Sequence, residues 1–365
     1  MLTRMKGISA FGGVVVASLL LAGCTYFGAD ALQSNRNPYN IAIQTTNDEQ
    51  LLLNLARLKY RDTPFFMQVS SVTTQFAFKP SLEVGGTLLE NGPGVLGFDA
   101  GISIEERPTV SYSPLQGNEY VERYLSPIPL ETIMLLYNAG WSVERVLRIC
   151  VQRINDVKNA PTASGPTPSS VPDYESFLDV ARAMRILQKR DLVSIGYAAE
   201  EDGKPTLVMR LHPGAKALPE THTLIELLGL AEDKDRFVIS SHYLAGSTGQ
   251  IGMQTRSLMG VLFYLSEAVE VPAADQERGV VTVTRNEAGE VFDWRNVTGD
   301  LLRIRSQAAR PRSASVAVNH RGHWFYIDDA DLSSKSTFLL LSSIVALQAG
   351  KIERVQPLFT LPLSQ

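Results

Sequence analysis

The stretch LGFDAGISIE, residues 96–105, decides the fold of the first half of this chain, because apolar residues alternate with polar residues or glycine at every step. This period of two is typical of a β-strand with one apolar face. The run VTTQFAF, residues 72–78, alternates in the same way, and ENGPG at 90–94 is a strong turn signal. We therefore expect a β-hairpin with one apolar face within the segment 65–112.

The rest of the chain carries helical and strand patterns in blocks, without the regular strand–helix order of a parallel sheet. The helix at 46–60 is predicted to begin at a capping box formed by Thr46 and Glu49. These blocks predict an α+β fold in which antiparallel β-hairpins and sheets pack with amphipathic helices. Further helices are predicted at 118–125, 129–137, 142–154, 173–188, 223–230, 255–269 and 335–347. Further strands are predicted at 193–198, 206–211, 236–241, 280–284, 301–306, 314–319 and 323–328.

Composition also predicts how the chain is divided. Residues 24–45 are polar and are expected to form a tether, since they contain too few apolar residues to bury. An N-terminal α+β region follows at 46–157 and contains the alternating segment, and a C-terminal α+β region is predicted at 173–365. Between them, residues 158–172 are rich in proline and serine. That composition predicts a surface loop or a linker at a domain boundary.

The N-terminus has the three parts of a secretory signal. Arg4 and Lys6 give it positive charge, an apolar core runs from Ile8 to Leu21, and small residues stand directly before Cys24. The apolar core is shorter than the roughly 20 residues that a membrane-spanning helix needs. The sequence LLLAGC, residues 19–24, resembles the lipobox of bacterial lipoproteins.

This resemblance implies that residues 1–23 are a signal peptide and that Cys24 carries the acyl chains, palmitate among them, that anchor the mature protein. More than one chain matters, because a single fatty chain gives only marginal membrane binding. The resemblance also implies that Thr25, where an aspartate would retain the protein at the inner membrane, favours sorting to the outer membrane. The predicted location is therefore the outer membrane, with the lipid-anchored chain facing the periplasm and membrane lipid as its first partner.

Charge and cysteine content exclude several classes of function. Loss of residues 1–23 removes Arg4 and Lys6 and no acidic residue, so the net charge changes from −4 to −6. Such an acidic chain argues against nucleic acid as a partner, because phosphate binding needs a basic face. Besides Cys24 the chain has only Cys150, which is expected to be buried, so no intramolecular disulfide is expected. No residue spacing predicts a metal site, and no cofactor is expected.

Basic residues are concentrated in one short stretch of this acidic chain, together with aromatic residues. Guanidinium groups beside aromatic rings suit phosphate or sugar surfaces, so this stretch is a candidate site for an envelope partner or an anion. Arginines on the solvated face of an edge hairpin are the alternative, because charges protect exposed edges. The candidates are Arg303, Arg305, Arg312, Arg321, Trp324 and Tyr326, with Arg310 in the same stretch.

A second polar group could serve catalysis. His320 and His323 flank a predicted tight turn, and Asp328 and Asp331 follow closely. Together they could supply the acid and base of a periplasmic hydrolase of envelope polymers. The alternative is a polar hairpin end, followed by Asp331 or Ser333 as the cap of the last predicted helix.

The signal sequence, together with the lack of a recognised catalytic motif, favours a non-enzymatic protein. We expect a lipid-anchored outer-membrane lipoprotein with a binding or scaffold role in envelope assembly or in a secretion complex. Envelope proteins or an envelope polymer would be its partners. As an alternative, several subunits of an oligomer contribute the 65–112 hairpin to a pore in the outer membrane, since alternating strands also form transmembrane barrels. That layout is similar to the curli-secretion pore lipoproteins, with which the chain shares no motif. The hydrolase is the second alternative.

Overall fold

A computed structural model of the chain describes residues 37–87, 95–114, 118–166, 168, 170–199, 205–241 and 249–349. It combines helices with antiparallel sheets and one mixed sheet, so the predicted α+β class is confirmed. The chain divides into two compact units. Residues 65–117 form the smaller unit, and the described residues before and after this segment belong to the larger one.

The smaller unit is the β-hairpin that the alternating sequence predicted. Strands β1 (Met67–Thr87) and β2 (Val95–Pro114) are antiparallel and pair with each other along their full length. The register runs from Met67 opposite Pro114 to Thr87 opposite Val95, with one irregularity between Val69 and Ser71. The predicted turn at 90–94 lies outside the described residues.

The larger unit begins with helix α1, residues 37–59, which starts earlier than the sequence indicated. The predicted tether is therefore helical from residue 37 onward, and its earlier part lies outside the described residues. The Thr46 hydroxyl does not cap a helix start but donates to the carbonyl oxygens of Ala42 and Ile43, at 2.9 and 3.0 Å. This is how a threonine behaves inside a helix, so the predicted capping box is wrong.

A six-stranded mixed sheet lies at the centre of the larger unit. Its strands are β3 (Val151–Ile154), β4 (Val157–Lys158), β5 (Val193–Ala199), β6 (Pro205–Leu211), β7 (Arg236–Ser240) and β8 (Gln250–Thr255). They lie in the order β4-β3-β8-β7-β6-β5, and within this sheet only β7 and β8 are parallel. The strands predicted at 193–198 and 206–211 are confirmed as β5 and β6, which form an antiparallel hairpin.

Helices cover this sheet and bury their apolar residues against it. They are α3 (Leu130–Asn138), α4 (Val143–Cys150), α5 (Glu175–Lys189) and α6 (Pro219–Leu228), with α2 (Asn118–Leu125) before them. Phe177 and Leu187 of α5 and Phe237 of β7 are fully buried in the resulting core. Complete burial of such a side chain contributes about 1.5–3 kcal/mol, so this core stabilises the larger unit.

A second sheet and the remaining helices come from the C-terminal part of the chain. The sheet is antiparallel in the order β10 (Ala314–His320), β11 (His323–Asp328), β9 (Arg305–Gln307). Arg321 and Gly322, between β10 and β11, have φ of 51° and 82°. Two positive φ values are what a two-residue type I′ hairpin turn requires. The elements are α7 (Leu258–Ser266), α8 (Ala273–Glu277), α9 (Arg295–Thr298), β9 (Arg305–Gln307), β10 (Ala314–His320), β11 (His323–Asp328) and α10 (Leu332–Ala349).

The proline- and serine-rich segment 158–172 is packed into the larger unit and does not separate two domains. Ala160 and Ala163 are fully buried, and Ser164 Oγ accepts a hydrogen bond from Arg256 Nε at 2.9 Å. The regions on either side of the segment contribute to one sheet, because β3 pairs with β8. The division of the chain therefore falls at the hairpin instead of at this segment.

Two helices are shorter than their periodicity suggested, because residues at one end join the six-stranded sheet. The helix predicted at 142–154 ends at Cys150, where β3 begins, and the helix predicted at 255–269 begins at Leu258, after β8. The strand predicted at 280–284 is irregular. Apolar spacing alone could not separate a buried helix end from a buried strand.

Candidate functional site

Cys24, the predicted lipidation site, lies outside the described residues, as does the signal sequence before it. Within the described part of the chain, no helix is both long enough and apolar enough to cross a bilayer. Because Cys24 itself is not among the described residues, its attachment to membrane lipid stays a prediction.

Three of the predicted binding arginines are held by carboxylates. Their shortest distances are 2.5 Å for Arg303–Glu270, 3.3 Å for Arg305–Asp328 and 3.0 Å for Arg321–Asp62. The Arg321 fork contacts both oxygens of its partner, and this pairing raises the pKa of Arg321 above its usual value. An anion that bound here would have to displace a carboxylate, so these arginines offer less positive charge than the sequence suggested.

The remaining candidates lie on or near the three-stranded sheet. Trp324 and Tyr326 are two positions apart on β11 and share one face of it, and Arg305 is the register partner of Tyr326. The Arg310 guanidinium lies 5.2 Å from the centre of the Trp324 ring, a cation–π distance. Arg312 is exposed. The structure thus places Arg305 beside the two aromatic residues of β11. Arg303 and Arg321 instead pair with Glu270 and Asp62.

The predicted histidine and aspartate group is not one cluster. His320 Nε2 lies 3.2 Å from Asp62 Oδ2 of the chain segment after α1, while Asp328 pairs with an arginine. Asp331 Oδ1 accepts the backbone N–H of Ser334 at 3.0 Å and caps α10, which confirms the capping alternative. Among the described residues, no three histidine, cysteine or acidic side chains come together as a metal site would need.

A polar network around Tyr60 joins the end of α1 to the β10–β11 hairpin and to α8. The Tyr60 hydroxyl donates to buried Asp275 at 2.5 Å, and this hydrogen bond lowers the pKa of Asp275. The rings of Tyr60 and His320 meet edge to face at 5.6 Å, and the Arg321 guanidinium lies 4.8 Å from the centre of the Tyr60 ring. Burial lowers the pKa of His320, so it is neutral at pH 7. These contacts stabilise the packing of three elements that are far apart in sequence.

One buried arginine, which no sequence pattern indicated, stabilises the chain where α4 leads into β3. Arg256 is 1% exposed, and its guanidinium lies 4.1 Å from the centre of the Tyr264 ring. Burial lowers its pKa to about 10. It donates to the carbonyl oxygens of Arg148, Ile149, Val151 and Asn159, the first three at 3.1, 3.2 and 2.7 Å. The first three carbonyls belong to the end of α4 and the start of β3, where a helix leaves acceptors without intrahelical partners. Asn159 Nδ2 also donates to two of them, Arg148 O and Val151 O, at 2.9 and 2.6 Å.

Two neighbouring groups complete this buried region. Arg148, also 1% exposed, binds both carboxylate oxygens of Asp300 at 2.7 and 2.6 Å. Cys150 is fully buried, as its helical spacing predicted, and burial raises the pKa of its thiol to about 12. A thiol with that pKa stays protonated and unreactive at neutral pH, so Cys150 serves packing.

A cleft of about 420 Å³ opens beside α8 and α9. Its charged side chains are already bound to one another, since Lys59 Nζ lies 2.5 Å from Glu267 Oε2 and Arg303 binds Glu270. The Lys59–Glu267 pair is almost completely buried. These charged groups line the cleft and form ion pairs with one another.

The register of the β1–β2 hairpin shows which of its residues share a face. Residues directly opposite each other lie on the same side of an antiparallel pair, and successive residues alternate between sides. From the pair Phe78–Ile104 to the pair Gly86–Leu96, one side carries only apolar residues and glycine. We call this side the apolar face. It comprises Phe78, Pro80, Leu82, Val84 and Gly86 of β1 with Leu96, Phe98, Ala100, Ile102 and Ile104 of β2.

The opposite side of the same strands is hydrophilic, and we call it the polar face. It comprises Lys79, Ser81, Glu83 and Gly85 of β1 with Gly97, Asp99, Gly101 and Ser103 of β2. The next pair along the apolar side, Phe76–Glu106, introduces a charge. Glu106 therefore ends the apolar side in one direction, and in the other direction the description ends at Thr87 and Val95. We call residues 78–86 and 96–104, nine in each strand, the apolar span. A transmembrane β-strand needs about 9–11 residues.

No family model, no curated protein and no solved structure matches this chain.

Proposed function

We propose that this protein is a lipid-anchored, non-enzymatic subunit of an outer-membrane assembly, and that the apolar face of its hairpin enters the bilayer. The observation that carries this proposal is the register of β1 and β2, which collects the alternating apolar residues of both strands on one side. Alternation of apolar and polar positions is the pattern of strands that face lipid on one side and water on the other.

The length of the apolar span supports lipid as the occupant of this face. The nine described residues in each strand are enough to cross a hydrocarbon core, and the charge at Glu106 marks one limit of the span. A bilayer accounts for this limit, because its hydrocarbon core ends in a water interface.

The predicted lipid anchor makes insertion favourable. Acyl chains on Cys24 would hold the hairpin beside the membrane, so that its insertion becomes an intramolecular step at high effective concentration. A two-stranded hairpin is marginally stable at best in water, and burial of its apolar face in lipid removes that face from water.

The internal ion pairs of the larger unit favour a role in assembly over hydrolysis. His320 is bound to Asp62, and Asp328 is bound to Arg305, so these two residues of the hydrolase alternative are used in separate contacts. The Tyr60 network and the Arg256 contacts likewise stabilise packing. A rigid larger unit that carries a membrane-inserted hairpin suits a scaffold in envelope assembly or secretion.

The experiment compares Leu82→Lys with the matched control Ser81→Lys in mature protein that lacks the acyl chains (Cys24→Ser). Adjacent positions on opposite faces receive the same charge at the same depth. A lysine at the bilayer midplane costs about 2–4 kcal/mol on the lipid face of a strand. We expect the parent and Ser81→Lys to float with lipid vesicles in a density gradient and Leu82→Lys to remain in the soluble fraction.

Flotation of both lysine variants to the same extent would contradict insertion of the apolar face. Far-UV circular dichroism of both variants checks that the larger unit remains folded.

A further inference from the structure

We infer that copies of this chain pair through the free outer edges of their hairpins, the β2 edge of one copy against the β1 edge of the next, so that the polar faces line a water-filled pore. This inference rests on the proposed function and names the partner of the inserted hairpin, which is a second copy of the same chain. The observation behind it is that β1 and β2 each have one unpaired edge along the apolar span.

Among the described residues, β1 and β2 pair only with each other and form a two-stranded sheet. Within the apolar span each strand therefore keeps one outer edge, at which about every second residue directs its N–H and C=O away from the hairpin. Pro80 is the only proline of the apolar span, and it removes a single donor from β1. The β2 half of the span contains no proline, so its edge keeps all of its donors.

In lipid these edges need partners, because hydrocarbon offers no hydrogen bonds to backbone groups. A second copy supplies an edge of matching depth, since the span occupies the same level in both strands. Two-fold pairing of β1 with β1 would satisfy one edge of each copy and leave both β2 edges open. Pairing of β2 with the next β1 repeats around a ring until every edge is used.

The polar face gives this ring an aqueous interior. Its residues are small or hydrophilic, with glycine at three of the eight positions. Glu83 lies directly opposite Asp99 in the register, whereas Lys79 lies opposite Ser103. The face therefore carries two acidic groups and one basic group, and each copy would add its acidic pair at one level. A ring of carboxylates in a pore favours cations over anions.

The experiment uses the full-length, acylated chain in outer membranes and pairs of single-cysteine variants. One variant carries Ser81→Cys in β1, and the other carries Gly97→Cys, Gly101→Cys or Ser103→Cys in β2. The two are expressed together and treated with a short bis-maleimide. A cross-link between β1 and β2 positions then forms only between copies. Cys150 is buried and protonated, and wild-type chain serves as the background control.

We expect cross-linked dimers when a β1 variant and a β2 variant are expressed together, and little cross-linking when either is expressed alone. Cross-links between two Ser81→Cys copies, without β1–β2 products, would overturn the inference in favour of a closed two-fold dimer. A lack of every cross-link would also overturn it, and the hairpin would then enter lipid alone or beside another protein. Both outcomes are distinct from failure of the proposed function, which the two lysine variants detect separately.

A second readout tests the pore itself. Purified oligomer in vesicles should conduct, with a reversal potential in a salt gradient that shows cation preference, and Glu83→Gln with Asp99→Asn should reduce this preference. If β1–β2 cross-links form but the vesicles stay impermeable to small ions, the pore is overturned. Only the pairing of strand edges would then be supported.

Discussion

At the scale of single residues, Arg256 shows how a buried charge can be stable without a carboxylate partner. Its donors satisfy the carbonyl oxygens at the end of α4, and Tyr264 lies against its face. Asn159 Nδ2 also donates to Arg148 O and Val151 O, at 2.9 and 2.6 Å, so loss of the guanidinium would bear most on the buried carbonyl oxygens of Ile149 and Asn159. The sequence could not indicate this role, because the acceptors are backbone groups about 100 residues away.

We expect Arg256→Ala to lower the free energy of unfolding by about 3–5 kcal/mol, since the Ile149 and Asn159 carbonyl oxygens lose their side-chain donor and a large buried side chain leaves a cavity. Arg182→Ala is the matched control, because Arg182 is exposed and its ion pair with Asp179 is 3.8 Å long. Its loss should cost less than about 1 kcal/mol. Urea denaturation followed by circular dichroism measures both. Equal destabilisation of the two variants would contradict the role given to Arg256.

At the scale of elements, the long alternation of the hairpin predicted its structure well, whereas the capping box at Thr46 did not mark a helix start. The alternation in β1 and β2 predicted both strands and their shared apolar side, because one slip of register would mix the faces. The capping box at Thr46 was wrong, because residues 37–45 continue the helix and leave the Thr46 hydroxyl in its interior. A four-residue motif does not show whether the helix already includes the residues before it.

Thr46→Ala provides a direct test of that helix start. Inside a helix alanine is favoured over threonine by up to about 0.7 kcal/mol, so we expect the free energy of unfolding to stay unchanged or to rise slightly. Ser257→Ala is the comparison, because Ser257 Oγ accepts the Gly260 N–H at 3.0 Å and caps α7. Its removal should cost about 1 kcal/mol. If both variants lost stability equally, Thr46 would act as a cap after all.

At the scale of the whole molecule, the α+β class could be predicted from the blocks of periodicity, but the division of the chain could not. Composition suggested a boundary at 158–172, whereas buried Ala160 and the pairing of β3 with β8 join the regions on either side. The candidate site could likewise be predicted only in part. The apolar face was visible in the sequence, whereas the carboxylates that hold Arg303 and Arg321 depend on contacts between distant segments.

The measurement that tests the central claim most directly is a cysteine scan of residues 78–86 in the full-length, acylated protein in membranes. Each position in turn carries a cysteine labelled with an environment-sensitive fluorophore. We predict blue-shifted emission at 78, 80, 82, 84 and 86, quenched by lipid-attached quenchers, and water-like emission at 79, 81, 83 and 85. Emission without this period of two would contradict insertion of the hairpin by its apolar face.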